Sequence, residues 1–145
     1  MLNQLRGVYS SLRKHKVKYV TIGGIAAILH GVPRATFDLD ILIEATPKNA
    51  QRLLDALLDA GLGTASLTTA EEVLAHEITI FRDRVSVDVQ TKTPGITFSE
   101  VWERRQVMKY GRTSFDVLSK EDLIASKLAA GRAKDLEDIR LLVIE

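Results

Sequence analysis

The 145-residue sequence has no cysteine, three prolines and a single tryptophan. Without cysteine there is no disulfide framework and no thiolate chemistry, and the cytoplasm is the expected compartment. No apolar run approaches the roughly 20 residues of a membrane-spanning helix. No signal-peptide core is recognised either, so no membrane partner is expected. The formal net charge of +1 gives no general indication of nucleic-acid binding, although local basic clusters can exist.

What is present is typical of a globular protein, since 46% of the residues are hydrophobic and 27% are charged. A chain of this length can bury a substantial core but has little room for a second one. We therefore expect one domain that spans residues 1–145.

Two aspartates, Asp38 and Asp40, lie within a predicted strand. Strand alternation places both on one face, about 7 Å apart, where the carboxylates can converge on one ion. Like charges on one face repel unless a positive group lies between them, so a divalent cation is one explanation. A strand end that faces water is the other, and the pair alone does not decide between them. The opposite, apolar face comprises Phe37, Leu39, Ile41 and Ile43.

A double glycine, Gly23-Gly24, precedes this pair. The β-branched and aromatic run of residues 18–22 predicts a strand, and residues 25–30 predict a short helix that ends at Gly31. Backbone N–H groups at such a strand–glycine–helix junction can bind a phosphate. The alternative is a tight turn that needs only the positive φ of glycine. A phosphate cradle beside a carboxylate pair suits transfer of a phosphate-bearing group.

A third aspartate, Asp88, lies in the second arm of a predicted β-hairpin. Residues 78–81 and 85–90 alternate at strand period around a polar turn. Asp88 is flanked by valines, where a charge is costly, so it is either a further carboxylate of the site or a water-facing residue on an edge strand. Asp83 competes for the same role, but it lies in the turn, where aspartate is common.

A helix capped by Ser119 is predicted near the C-terminus, and Gly131 separates it from a final helix. Lys127 borders the buried stripe of the first of these helices, which fits either a solvated basic face or contact with an anion. A solvated face with i,i+4 pairing is predicted for Lys134 and Asp138. The expected apolar residues of the final helix are Leu136, Ile139, Leu142 and Val143.

Residues 2–15 predict an amphipathic helix that ends in a basic cluster. Favourable interaction with the helix C-terminus is preferred here over an RNA-binding patch. Trp102, in a helix predicted over residues 98–106, is expected to pack in the core rather than stack on a base. The basic cluster consists of Arg13, Lys14, His15, Lys16 and Lys18.

The order of Gly23-Gly24, a helix and Asp38-x-Asp40 resembles the DNA polymerase β-like nucleotidyltransferase superfamily. Residues 30–36 look most like the small bacterial branch around the AbiEii-type toxins, regarded as nucleotidyltransferases of type IV toxin–antitoxin systems. Residues 126–138 resemble the second signature of that branch. One departure is the double glycine itself, because Gly-Ser is more usual and would add a hydroxyl.

The resemblance implies an α+β nucleotidyltransferase fold, a mixed sheet with flanking helices, that moves a nucleoside monophosphate from an NTP to a hydroxyl. It implies that Asp38, Asp40 and Asp88 are catalytic and bind Mg²⁺, with two ions expected, and that Asp88 activates the acceptor hydroxyl. The implied nucleotide-binding residues are Gly23, Gly24, Arg34, Lys127 and Arg132, with Lys134 as an alternative to Arg132.

The acceptor is not identified by the resemblance: tRNA, a protein and a small molecule all fit. Larger relatives carry an added helical domain for the acceptor, so a partner protein or a homodimer is left open. The alternative function is a non-catalytic nucleotide-binding or protein-interaction module with the same fold. A sugar transferase that uses Asp-x-Asp fits less well, because the glycine turn would then have no role.

Overall fold

The computed structural model describes residues 2–36 and 38–144, so Phe37, expected on the apolar face of its strand, lies outside the described residues. Seven α-helices lie in the described part of the chain, and a short 3-10 helix, Gly63–Leu67, follows the third of them. The helices are α1 Leu2–Lys14, α2 Gly23–Leu29, α3 Pro47–Asp59, α4 Ala70–Ala75, α5 Phe98–Arg104, α6 Lys120–Ala130 and α7 Ala133–Val143.

Six strands form one mixed sheet in the order β3-β4-β2-β1-β6-β5. The central strand β2 pairs antiparallel with β1 and parallel with β4, while β1 pairs parallel with β6. Two antiparallel hairpins, β3–β4 and β5–β6, close the edges. The predicted α+β fold, a mixed sheet with flanking helices, is confirmed. The strands are β1 Tyr19–Ile22, β2 Asp38–Ile43, β3 Ile78–Arg82, β4 Ser86–Gln90, β5 Gln106–Tyr110 and β6 Thr113–Val117.

The register of the paired strands determines which side chains share a face of the sheet. Asp40 is paired with Ile22 on β1 and with Asp88 on β4, so these three side chains share one face. Thr21 points to the other face, where its hydroxyl lies 2.9 Å from the hydroxyl of Tyr9 on α1. Helix α1 therefore packs on the face opposite the two aspartates.

Local sequence signals explain several helix ends. The Thr46 hydroxyl accepts a hydrogen bond from the Asn49 amide at the start of α3, and Thr69 and Ser119 cap α4 and α6 in the same way. Gly131 ends α6 in the left-handed conformation that glycine adopts without strain. No helix in the described ranges is both long and apolar enough to cross a bilayer.

Two expectations about the helix ends were wrong. Helix α2 begins at Gly23 rather than after the double glycine, and α5 ends at Arg104, since Gln106 already opens β5. Helix α7 contains the four expected apolar residues, and two of them, Leu136 and Val143, are 51% and 61% exposed. The cause is that the buried face of α7 carries two aspartates together with Leu142.

Candidate functional site

Asp40 and Asp88 lie side by side on adjacent parallel strands. Their Cα atoms are register partners, and Asp38 lies two residues before Asp40 on the same face of β2. Asp40 and Asp88 are half-buried, whereas Asp38 is exposed. The sheet thus brings the three predicted carboxylates to one edge of a cavity.

Asp40 is electrostatically strained. Burial, then the neighbouring charges of Asp88 and Asp38, raise the pKa of Asp40 from 3.8 to about 7, while Lys134 opposes the shift. At neutral pH the protein therefore holds a carboxyl group that is only partly ionised. A cation between Asp40 and Asp88 would offset the repulsion that Asp88 adds to the effect of burial.

Gly23 is the residue that lets the backbone pass close to Asp40. Its φ is +68°, and a Cβ there would overlap the Asp40 carboxylate oxygen and lie 3.2 Å from Asp40 Cγ. A Cβ at Gly24 would lie 3.1 Å from Thr36 Cγ2. Any side chain at Gly23 would fill the space beside the carboxylate, so the double glycine keeps the first turn of α2 open to the cavity.

A buried ion-pair cluster forms the other wall of the cavity. Lys127 on α6 is only 5% exposed, and its Nζ donates a 2.8 Å hydrogen bond to Asp138 on α7. Arg34 donates a 2.6 Å hydrogen bond to the same Asp138 oxygen. Asp138, itself 3% exposed, therefore joins α7, α6 and the segment before β2.

Arg132 is held in a similar way by Asp135. Its guanidinium donates two hydrogen bonds, of 2.6 and 3.2 Å, and its backbone N–H donates a third. Burial raises the pKa of Asp135, but the hydrogen bonds from Arg132 outweigh it and leave that pKa below its ordinary value. Asp135 also lies 3.7 Å from Lys127, so the two aspartates fix three cations in place.

All eight predicted site residues line one cavity of about 300 Å³. One wall carries carboxylates and the other carries cations, with the double glycine between them. The charged lining residues are Asp38, Asp40, Asp88 and Asp135 against Arg34, Lys127, Arg132 and Lys134. Asp38, Asp40 and Asp88 lie on one wall and the four cations on the other, where Asp135 is already paired with Arg132. Such a site can hold a phosphate chain beside the cations and metal ions beside the strand aspartates.

Residues 2–144 match the protein family described as nucleotidyltransferase of unknown function (DUF6036). The chain belongs to this family. Its fold is similar to a crystal structure of a Thermotoga maritima protein assigned to the nucleotidyltransferases, with a TM-score of 0.60 and 18% identity over 97% of this chain and 90% of that one. The nucleotidyltransferase superfamily suggested by the double glycine and Asp-x-Asp is therefore confirmed, while the closer resemblance to AbiEii-type toxins stays a prediction.

This nucleotidyltransferase-family chain is also similar to the CCA-adding enzyme of Geobacillus kaustophilus. The two are 27% identical over 95 residues, which are 66% of this chain and 23% of that enzyme. The match thus spans about a quarter of the length of that relative.

Asp138 was assigned wrongly from the sequence. Its spacing from Lys134 predicted a solvated pair, but Asp138 is buried and bonds Arg34 and Lys127 instead. The solvated alternative for Lys127 is also wrong. The available signal was the i,i+3 spacing of Asp135 and Asp138, which puts two aspartates on one face of a helix.

Two other residues lie away from the cavity. Asp83 stays in the β3–β4 turn, where its carboxylate accepts hydrogen bonds from the backbone N–H groups of Thr64 and Arg84. Trp102 is half-buried and packs against the core, as expected. The Arg105 guanidinium lies 3.5 Å from its ring centroid, and the Phe98 ring stacks on it at a centroid distance of 5.6 Å.

Proposed function

We propose that the chain transfers a nucleoside monophosphate from an NTP to a hydroxyl group in a Mg²⁺-dependent reaction. The observation that carries this proposal is the division of one cavity into a carboxylate wall and a cation wall. A triphosphate with its metal ions has the complementary distribution of charge.

In the proposed reaction the acceptor oxygen attacks the α-phosphorus. A new oxygen–phosphorus bond forms, the bond from the α-phosphorus to the β-bridging oxygen breaks, and pyrophosphate leaves with the electron pair. Asp88 orients the acceptor hydroxyl and takes its proton. Arg34, Lys127 and Arg132 bind the triphosphate oxygens, with backbone N–H groups of Gly23 and Gly24 beside them.

The carboxylates fit a divalent cation by their chemistry. Mg²⁺ prefers oxygen ligands and keeps several waters, so it needs only one or two carboxylates from the protein. Asp40 beside Asp88, with its pKa raised by burial and by that neighbour, is such a pair. Within the described ranges no group of three acidic or histidine side chains is arranged to hold a metal ion. Bound at Asp40 and Asp88, Mg²⁺ would neutralise the charge that develops on the phosphate oxygens.

The proposal also names candidate acceptors for the transferred nucleoside monophosphate. Since a relative is a CCA-adding enzyme, the 3′ end of a tRNA is the first acceptor to test, followed by protein hydroxyls and small molecules. A toxin–antitoxin setting in the cytoplasm, with a partner protein or a homodimer, is the biological context we propose.

Isothermal calorimetry with each of the four NTPs tests the binding step. We expect one NTP or several to bind wild type only with Mg²⁺ and not to bind Asp38→Asn/Asp40→Asn. Asp55→Asn is the control, because Asp55 is an exposed helix carboxylate that accepts a hydrogen bond from Gln51. Binding that survives the double variant would refute the metal–triphosphate site.

Transfer itself is tested with NTP labelled at either the α- or the γ-phosphate. The α-label should enter the acceptor and the γ-label should leave in pyrophosphate. Mg²⁺-dependent binding with no transfer to any acceptor class would favour the non-catalytic nucleotide-binding module.

A further inference from the structure

The basic cluster at the end of α1 is divided by the fold into two groups. Lys14 and His15 point to Asp59, and each has a nitrogen 3.1 Å from the same carboxylate oxygen. Hydrogen bonds from His15 and Lys14 lower the pKa of Asp59, so this half of the cluster is balanced by an anion. The other three basic residues, Arg13, Lys16 and Lys18, face elsewhere.

Those three residues line a second cavity, of about 260 Å³, between the α1–β1 connection, α5 and β6. We call it the α1–β1 cleft. Its other lining residues include Tyr19, Trp102 and Asp116. None of its residues lines the cavity with the catalytic candidates, since the cleft lies at the start of β1 and Gly23 follows its end.

Lys16 stands in an unfavourable backbone conformation. Its φ is +58°, and among the described residues it is the only non-glycine residue with a positive φ. Helices commonly end with glycine at such a position, because a side chain there strains the backbone. A ligand bound by the ammonium group of Lys16 would offset this backbone strain.

Arg105 adds a fourth cation at the border of the cleft. It is fixed by stacking on Trp102 and by a 2.8 Å hydrogen bond from its guanidinium to the Trp102 carbonyl oxygen. Its Nε is buried without a hydrogen-bond partner in the described structure, and the nearest carboxylate, Asp116, is 3.9 Å away. Burial raises the pKa of Asp116, against the opposing charges of Arg105 and Arg13.

Positive charge therefore exceeds negative charge in this region. Three cations, Arg13, Lys16 and Lys18, line the cleft with one carboxylate, Asp116. Outside this lining, Arg105 lies 3.9 Å from Asp116 and Glu44 lies 3.7 Å from Lys18. We propose that the α1–β1 cleft binds the phosphodiester backbone of a single-stranded polynucleotide. That this polynucleotide is the acceptor rests on the proposed transfer reaction; the binding itself does not.

The lining of the cleft favours a polymer over an isolated anion. Arg13, Lys16 and Lys18 lie within six residues of each other, so a chain with a charge at every repeat unit can contact several of them at once. The cleft is separate from the cavity with the catalytic candidates, because Tyr19 and Ile22 are three strand steps, or roughly 10 Å, apart on β1, and that strand is buried.

Fluorescence anisotropy with a short labelled oligouridylate, and with the matching oligothymidylate, tests the cleft across a KCl series. In Arg13→Gln/Lys16→Gln we expect affinity to fall about tenfold or more at low salt. The slope of log K against log salt should become shallower by about 1.4, which is 0.7 for each lost phosphate contact. Lys14→Gln/Lys109→Gln removes two exposed lysines outside the cleft and should bind like wild type. Equal losses in the two double variants would overturn the site.

The Lys16→Gly variant distinguishes a loss of oligonucleotide binding from a loss of folding stability. Glycine relieves the positive φ, so we expect a higher Tm together with weaker oligonucleotide binding. A Lys16→Gly variant that binds the oligonucleotides as wild type does would refute the role of Lys16. Polyglutamate that competes as well as the oligonucleotides, at equal charge, would refute the phosphodiester assignment.

Mg²⁺–NTP binding, measured by calorimetry in the same variants, should be unchanged. If the variants change oligonucleotide binding as expected but wild type binds no NTP, the cleft proposal is supported and only the proposed transfer reaction is refuted.

Discussion

Asp40 lies where burial and two like charges act on one carboxyl group. Its pKa of about 7 means that the folded protein holds a proton on Asp40 well above the pH at which an unfolded chain loses it. Ionisation of Asp40 is thus linked to folding, and a metal ion that binds at Asp40 would have to displace that proton.

The first prediction concerns Asp40→Asn without metal. Because the folded-state pKa of Asp40 is raised, ionisation of this one group removes stability from wild type as the pH rises from about 4 to about 7, and its contribution stays lost above that range. The variant has no such loss, so it should be more stable than wild type at pH 8, by at most about 4 kcal/mol, and nearly equal at pH 4. Urea unfolding in EDTA at both pH values measures the difference. A variant no more stable than wild type at pH 8 would contradict the raised pKa.

Asp138 combines burial with two cationic partners. A buried carboxylate that accepts hydrogen bonds from Arg34 and Lys127 costs desolvation, and it is stable only while both partners are present. Asp138 does not line the cavity, but it holds Arg34 and Lys127, which do.

The second prediction is that Asp138→Asn destabilises the protein by about 3 to 5 kcal/mol, because the variant leaves a buried Lys127 with a weaker partner. NTP affinity should fall with it. Glu137→Gln on the same helix removes an exposed ion pair to Arg140 and should leave both quantities unchanged. Denaturant unfolding and calorimetry provide the two readouts, and equal effects of the two variants would argue against the positioning role.

At the scale of elements, the junction of β1 and α2 places backbone and carboxylate in contact. Two features require glycine at position 23: the backbone has a positive φ, and a Cβ would overlap Asp40. Gly31 follows the other end of α2 and has a φ of +101°, but a Cβ at this position would have no other atom within 4 Å. A substitution at Gly31 therefore tests backbone strain alone, whereas a substitution at Gly23 tests backbone strain together with steric contact with Asp40.

The third prediction compares Gly31→Ala with Gly23→Ala. Gly31→Ala should cost about 1 to 2 kcal/mol from backbone strain alone. Gly23→Ala should cost more and should also abolish Mg²⁺–NTP binding, because the methyl group displaces Asp40. Urea unfolding and calorimetry on both variants test this. A Gly23→Ala protein that binds Mg²⁺–NTP normally would show that the double glycine has no role beyond the turn.

Local signals explain why most elements were predictable. Caps such as Thr46 and Ser119, and the alternation around Asp40 and Asp88, depend on neighbours within a few residues. The start of α2 was missed because glycine lowers helix propensity, although backbone hydrogen bonding begins the helix at Gly23. The burial of Asp138 was missed because one of its partners, Arg34, is 104 residues away in sequence.

At the scale of the whole molecule, the cavity exists only when distant segments meet. The parallel pairing of β2 with β4 brings Asp88 to Asp40, and the packing of α7 on α6 brings Asp138 to Lys127. Local periodicity does not encode either pairing. The family resemblance therefore predicted candidate site residues from the sequence, but it could not predict how they are arranged relative to one another.

The fourth prediction follows from this assembly. A ligand that binds only the fully assembled site stabilises the whole fold, by about 2.7 kcal/mol at a hundredfold excess over Kd. For a chain of this size that corresponds to a Tm increase of roughly 5 to 10 °C with Mg²⁺ and the bound NTP together. Hydrogen exchange should slow in α7 as well as in the central strands, because Asp138 ties α7 to the cation wall. The same Tm increase with NTP and EDTA, or in Asp38→Asn/Asp40→Asn, would show that the nucleotide binds elsewhere.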